Sequence, residues 1–326
     1  LNVEFDVYSG ESQHNKTILK VVDEAKSKNI AEMSEGALVV KSSDEKEPPC
    51  LLLKRDGATT YQLRDIAAMS DRYSQYHFAK MIYVVAQDQA FHLKQVFEVA
   101  TKLGYQYSKD CTHVSFGLLR FQDAKFSTRE GNVILLEDVL DTAFEKVKEI
   151  ILSRGFETSI PEESMHKIAV GAIVFTDLST KRTKNVEFIW EESLNFDGDT
   201  GPYLQYSVAR CNSIVRKSNI LLNEKVDYSL LKTQFEKLLI LKLEQFEHNI
   251  SFAADNCEPS VIANYLLPLA KLSNRMIHSG KENIEMRVIQ PENLPLQTAR
   301  TALIYATAKV LEEGLALLGI ESPQVM

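Results

Sequence analysis

The feature that most constrains how this chain folds is a change of hydrophobic period partway along it. Before Lys125, short apolar runs alternate with helical stripes; from Leu136 onward the apolar residues recur almost throughout at helical spacing. Val3 to Val7 reads as a short β-like run. Ile18, Val21, Val22 and Ala25 form one stripe of a helix over 16–27. Residues 36–40 and 50–53 read as two strands joined by a charged connection ending in Pro48-Pro49, with a turn following at Asp56-Gly57. A helix is expected over 66–73, and the unbroken apolar run 81–85 suits a buried parallel strand. Leu93, Val96, Phe97 and Ala100 give a helix over 91–103, with Gly104 as its end. This alternation is the pattern of a doubly wound α/β sheet.

In the second half, Leu136, Val139, Leu140, Ala143, Val147, Ile150 and Ile151 make one long stripe, closed by Gly155. Pro161 suits the first turn of a further helix running to about Leu178. Leu231, Phe235, Leu238, Leu239, Phe246 and Ile250 form another stripe, and Ile304, Leu311, Leu315 and Leu318 the last. An all-α bundle is expected from Phe196 on, giving domains 1–195 and 196–326. A chain of 326 residues is long for one core and comfortable for two.

Composition narrows the class. No apolar run is long enough to span a membrane, and the N-terminal stretch lacks the basic-then-apolar opening of a signal peptide. A formal net charge of −8 argues against a wholesale polyanion binder but leaves room for a local basic face. The cysteines (Cys50, Cys111, Cys211, Cys257) show no CxxC and no His at ligand spacing, so they read as reduced packing residues of a cytoplasmic protein, with no metal site.

Four stretches carry chemistry. Tyr61 and Asp65, four apart, face the same way on a helical turn, and a carboxylate beside a phenol suits a guanidinium. A helix N-cap at Asp65 and a core ring at Tyr61 fit the same residues. Gln89 and His92 follow the 81–85 strand, at the strand end where doubly wound folds bind ligands; a His92 packed against the sheet fits equally. Lys125-Phe126-Ser127-Thr128-Arg129-Glu130-Gly131-Asn132 combines cations, hydroxyls and a flexible Gly-Asn end, as a polyphosphate clamp or a solvated turn would. Tyr203, Tyr206 and Arg210 lie at i, i+3 and i+7 on one helix face, either to stack unpaired RNA bases or to fill a core. Lys181, Arg182 and Lys184 form a small basic turn. No spacing suggests a nucleophile–base pair, which fits chemistry driven by positioning and charge.

These residues resemble a family. Lys125-Phe126-Ser127-Thr128-Arg129 is similar to the KMSKS signature of class I aminoacyl-tRNA synthetases, in the STR form typical of arginyl-tRNA synthetases. Asp56-Gly57 with Tyr61, Arg64 and Asp65, then Tyr83-Val84-Val85 with Gln89 and His92, then Gly198-Asp199-Thr200-Gly201-Pro202-Tyr203-Leu204-Gln205-Tyr206 are similar to arginyl-enzyme segments in the same order, and the last is the most specific. The likeness covers essentially the whole chain. It implies a partial Rossmann-like class I catalytic half followed by an anticodon-binding bundle of the DALR type. It implies arginine held by Tyr61, Asp65 and Gln89, with His92 near the nucleotide. It further implies ATP, with Mg2+, held by Lys125, Ser127, Thr128 and Arg129, and tRNA(Arg) met by Tyr203, Tyr206, Arg210 and Met326.

The family also implies a cytoplasmic monomer that joins arginine to tRNA through an arginyl-adenylate. Thr128 replaces the second Lys of the signature, and Glu130 stands where arginyl enzymes often have Lys, which weakens the pull on phosphate. No HIGH motif is present and the first residue is Leu, so the chain is expected to be a C-terminal part, inactive alone. A non-catalytic synthetase-like RNA-binding module is the rival reading. A cysteinyl-type enzyme is a weaker one, because the Cys and His spacings offer no zinc site.

Overall fold

A computed structural model describes residues 1, 3–121, 135–154, 160–222, 225–323 and 326. The chain divides into two compact units, Glu4–Gly117 and Leu118–Met326, the latter taking in Leu1–Val3.

In the first unit, helix α1 (Asn15–Ser27) precedes an antiparallel sheet of β1 (Ala31–Ser34), β2 (Ala37–Val40) and β3 (Cys50–Leu53), in that order. The turn after β3 depends on Gly57, at φ +81°, whose amide donates to the Lys54 carbonyl at 3.0 Å. Helix α2 (Tyr61–Tyr76) follows, then β4 (Met81–Ala86), α3 (Ala90–Lys102) and β5 (Cys111–Phe116). β4 and β5 are parallel, with Met81 opposite Cys111 and Ala86 opposite Phe116, so β4–α3–β5 is a strand–helix–strand crossover. Leu52, Leu63, Ile66, Met69, Val96 and Leu103 are fully buried and form the core with α1. Each such side chain contributes roughly 1.5–3 kcal/mol by leaving water.

Several expectations need correction in this unit. The 3–7 run is not a strand; Val3, Phe5 and Val7 are exposed and no strand among the described residues pairs with them. β1 had no visible signal, because only Met33 is a large apolar residue in it and it lies at the sheet edge. The 36–40 and 50–53 strands lie in the antiparallel sheet rather than the parallel one. The 81–85 strand is parallel but covered on one face only: Tyr83 packs on the core, whereas Ile82 and Val84 are exposed. Helix α2 starts at Tyr61, ahead of the expected Ile66, because the Thr60 hydroxyl accepts from the Leu63 amide as N-cap. Asp65 is therefore inside the helix and is not its cap.

The second unit opens with β6 (Leu119–Phe121), which pairs in parallel with β7 (Val186–Phe188). Between them run α4 (Leu136–Ser153) and α5 (Glu162–Leu178), with Pro161 as the N-cap residue of α5, and the short α6 (Trp190–Ser193) follows. Val139, Ala143, Val147 and Ile151 of α4 pack with Ile168 and Ala172 of α5 and with Phe188 and Trp190. The bundle proper is α7 (Gly201–Ser218), α8 (Gln234–Glu244), α9 (Phe246–Asn256), α10 (Ser260–Glu282) and α11 (Leu294–Leu317). Its core joins Leu204 and Val208 to Leu239, Leu266, Leu269, Ile304 and Leu311. The 231–250 stripe is not one helix. Thr233 and Glu236 form a capping box that starts α8, and the chain breaks again at Gln245 before α9. Gly155, expected to close the 136–151 stripe, lies outside the described residues.

Candidate functional site

The Thr60 cap fixes where the α2 side chains emerge. Tyr61 stands on the first turn and Asp65 one turn further along the same side. β4 ends at Ala86, a single 3-10 turn carries Gln89 into solvent, and His92 follows on the first turn of α3. Across this strand end His92 Nε2 lies 2.6 Å from Asp65 Oδ2. The Asp65 side chain keeps 39% of its exposure, and its Oδ1 has no hydrogen bond among the described residues. The carboxylate is thus anchored on one oxygen and open on the other. Below it, burial pushes the Tyr83 phenol well above its ordinary range; the charge of Asp65 adds to this and that of Arg72 opposes it.

Tyr61 is not a core ring. It is 68% exposed, with the Arg64 guanidinium 5.7 Å from its ring centroid. Arg64 itself donates to Glu11 at 2.7 Å and to the Thr59 hydroxyl at 3.0 Å, which leaves Asp65 without a neighbouring arginine partner from its own turn. Asp65 and His92 are brought into direct contact, and Tyr61 shares the α2 side. Lys125, Ser127, Thr128 and Arg129 lie outside the described residues.

A second locus lies on α7. Asn274 of α10 donates to Tyr203 Oη at 3.1 Å and to Ser207 Oγ at 2.7 Å, while its Oδ1 accepts from Arg210 Nη1 at 3.0 Å. Tyr203 and Arg210 thereby line one open concavity of about 540 Å³, together with Phe235, Lys271, Arg275 and His278. Tyr206 does not join them. It turns into a separate cavity of about 150 Å³ beside Arg154, Phe196 and Met326. The reason is helical geometry: positions i and i+7 nearly superpose, whereas i+3 falls about 60° to one side. Arg210 and Arg275 have no carboxylate partner among the described residues, whereas Lys271 is paired with Asp199. Of the small basic turn, Arg182 is engaged by Glu258 through its backbone amide at 3.2 Å.

Asn274, Lys271 and Arg275 escaped the sequence reading. Their one signal was Ser273-Asn274-Arg275 interrupting the apolar period of α10, at a point where Asn is a poor helix former.

The described residues thus form an α/β domain with a partly open carboxylate at a strand end, followed in sequence by an all-α bundle with a concavity lined by Tyr203, Phe235, Lys271, Arg275 and Glu282. Residues 1–190 match the family described as tRNA synthetases class I (R), catalytic domain, and residues 204–326 match the DALR anticodon binding domain. The chain belongs to the class I (R) tRNA synthetase family. All 326 residues align with an arginine–tRNA ligase of Clostridioides difficile at 39% identity, over 56% of that protein, and with one of Clostridium botulinum at 41% identity, over 57%. The chain therefore spans a little over half the length of the curated relatives it matches.

Among solved structures, an arginyl-tRNA synthetase from Plasmodium falciparum shares the fold with a TM-score of 0.84 at 23% identity, over 100% of this chain and 55% of that one. The Thermus thermophilus arginyl-tRNA synthetase gives 0.83 at 25% identity, over 97% and 59%. No helix among the described residues is long and apolar enough to cross a membrane.

Proposed function

We propose that the protein carrying this chain is an arginine–tRNA ligase. In the first step a carboxylate oxygen of arginine bonds to the α-phosphorus of ATP and pyrophosphate leaves, giving arginyl-adenylate. In the second, a terminal ribose hydroxyl of tRNA(Arg) attacks the acyl carbon and AMP leaves. Asp65 receives the substrate guanidinium, with Tyr61 and Gln89 supplying neutral hydrogen-bonding groups around it. The observation that carries this reading is the Asp65 carboxylate itself, held at a parallel-strand end with Oδ1 open. A planar guanidinium with several fixed donors suits such a cluster better than a lysine ammonium does.

Lys125, Ser127, Thr128 and Arg129 grip the ATP phosphates in this reading. Mg2+ arrives with those phosphates; among the described residues no cluster of three His, Cys, Asp or Glu side chains offers it a dedicated site. The Tyr203–Arg210 concavity and the Tyr206–Met326 cavity take separate parts of the anticodon loop, with stacking on the rings and Arg near phosphate. The functional division into residues 1–195 and 196–326 is supported by family matches that end at 190 and begin at 204. A cytoplasmic, monomeric enzyme completes the proposal.

The test is arginine-dependent ATP–pyrophosphate exchange with tRNA(Arg) present, and arginylation of tRNA(Arg), by the full-length protein. Activity with arginine and none with lysine is expected. Tight tRNA binding without exchange would instead favour a non-catalytic RNA-binding module, a reading to which Thr128 and Glu130 lend some weight.

A further inference from the structure

We infer that His92 serves the amino-acid side of the site: it is a positioning residue for Asp65, holding Oδ2 so that the guanidinium meets the carboxylate through Oδ1. This rests on the ligase reading and assigns His92 a role different from the nucleotide contact that family resemblance implies.

The geometry is direct. His92 Nε2 stands 2.6 Å from Asp65 Oδ2, a short bond of the charge-assisted kind. The imidazole is the more shielded partner, at 22% side-chain exposure against 39% for the carboxylate. His92 sits on the first turn of α3, next to Leu93 and one turn before Val96, both buried. Asp65 sits mid-turn on α2, anchored by Leu63 and Ile66, both fully buried. Two rigid helices therefore present the two groups, and the bond between them sets the carboxylate plane. Arg64, adjacent to Asp65 in the chain, turns away to Glu11 and Thr59, so no arginine of that turn competes for the same oxygen.

With Oδ2 engaged, a ligand cation finds one oxygen in a defined direction and must take its remaining hydrogen bonds from neutral neighbours. Such an arrangement favours a planar group with several donors over a point charge. Loss of the imidazole lets the carboxylate rotate and hydrate, which weakens binding of the amino acid and leaves ATP untouched.

The experiment uses the full-length protein with His92→Ala and His92→Gln, read as KM for arginine and KM for ATP in pyrophosphate exchange, with arginine affinity by calorimetry beside them. Gln is chosen because its side-chain amide can still donate to Asp65. In His92→Ala, KM for arginine should rise ~10-fold or more, the scale of losing a hydrogen bond to a charged group, with KM for ATP unchanged. His92→Gln should restore most of that loss. A rise in KM for ATP alone, no change in either constant, or a Gln variant no better than Ala overturns the inference. An inactive wild-type protein contradicts the ligase reading first and removes this inference with it.

Discussion

Gly171 and Gly201 bring α5 and α7 together backbone against backbone: a Cβ on Gly201 would lie 2.3 Å from the Gly171 carbonyl oxygen. The neighbouring residues exploit that approach. Thr200 caps α7 by accepting from the Tyr203 amide at 3.2 Å, Pro202 fits the first turn, and the fully buried Gln205 donates to the carbonyls of Lys167 and Glu321. Gly201→Ala should cost roughly 1–3 kcal/mol through overpacking, with the helices forced apart. Denaturant unfolding of the wild-type and variant chains measures it directly.

The bundle depends on a buried ion pair. Arg300 Nε donates to Glu236 Oε1 at 2.6 Å, and Arg300 Nη1 donates to the carbonyls of Glu285 and Arg287; both side chains are at least 96% buried. Burial alone would push the Glu236 carboxyl up, but the Thr233 amide and Arg300 outweigh it and hold it below the ordinary carboxylate value. Arg300→Ala strands that charge and should destabilise the bundle by about 3–5 kcal/mol. Arg300→Met paired with Glu236→Leu should recover most of the loss, as a double-mutant cycle would report.

Glu98 ties the 41–49 connection to α3. Its Oε1 accepts from the Ser43 amide at 2.5 Å and from Lys102 at 2.9 Å, and its Oε2 from the Ser42 hydroxyl at 3.2 Å. Burial raises its pKa, yet the Lys102 and Ser43 bonds prevail and lower it to about 2. A carboxyl depressed from 4.5 contributes stability that is present above that value and lost as pH falls toward 2. Wild type should therefore lose stability on the order of 2 kcal/mol more than Glu98→Gln does between pH 5 and pH 2, a difference visible in unfolding curves at several pH values.

Asn274 aligns Tyr203 and Arg210 from α10. Asn274→Ala should weaken binding of tRNA(Arg) by roughly tenfold while leaving KM for arginine alone, because it removes the hydrogen bonds that set both groups. Filter binding at fixed salt, beside the exchange assay, separates the two effects.

The long apolar periods carried most of the helices: α1, α3, α4 and α5 fall where spacing put them, whereas α11 begins at Leu294, ten residues before the stripe that starts at Ile304. What escaped was set by partners distant in sequence. β1 and β7 are short strands recognisable only by what pairs with them, and the 3–7 run alternates without a strand partner among the described residues. Thr60 moved the start of α2 because a single hydroxyl decided the cap. At the proposed site, chain position alone left Asp65 and Gln89 each with a structural and a functional reading, and only the family resemblance pointed to an arginine-binding role. The Asp65–His92 contact spans 27 residues, and the Tyr203–Asn274 contact 71, and no local pattern encodes either. Tyr206 parted from its two companions because seven residues nearly close two turns and three do not.

Asp65 is the proposed receptor for the arginine guanidinium. Calorimetric titration of arginine into the full-length protein, wild type against Asp65→Asn, tests it most directly, since Asn keeps the shape and removes the charge. Loss of at least about 2 kcal/mol of arginine affinity with ATP affinity retained is the expected result. Equal arginine affinity in the two proteins would contradict the claim, and the open carboxylate would have to serve something other than amino-acid recognition.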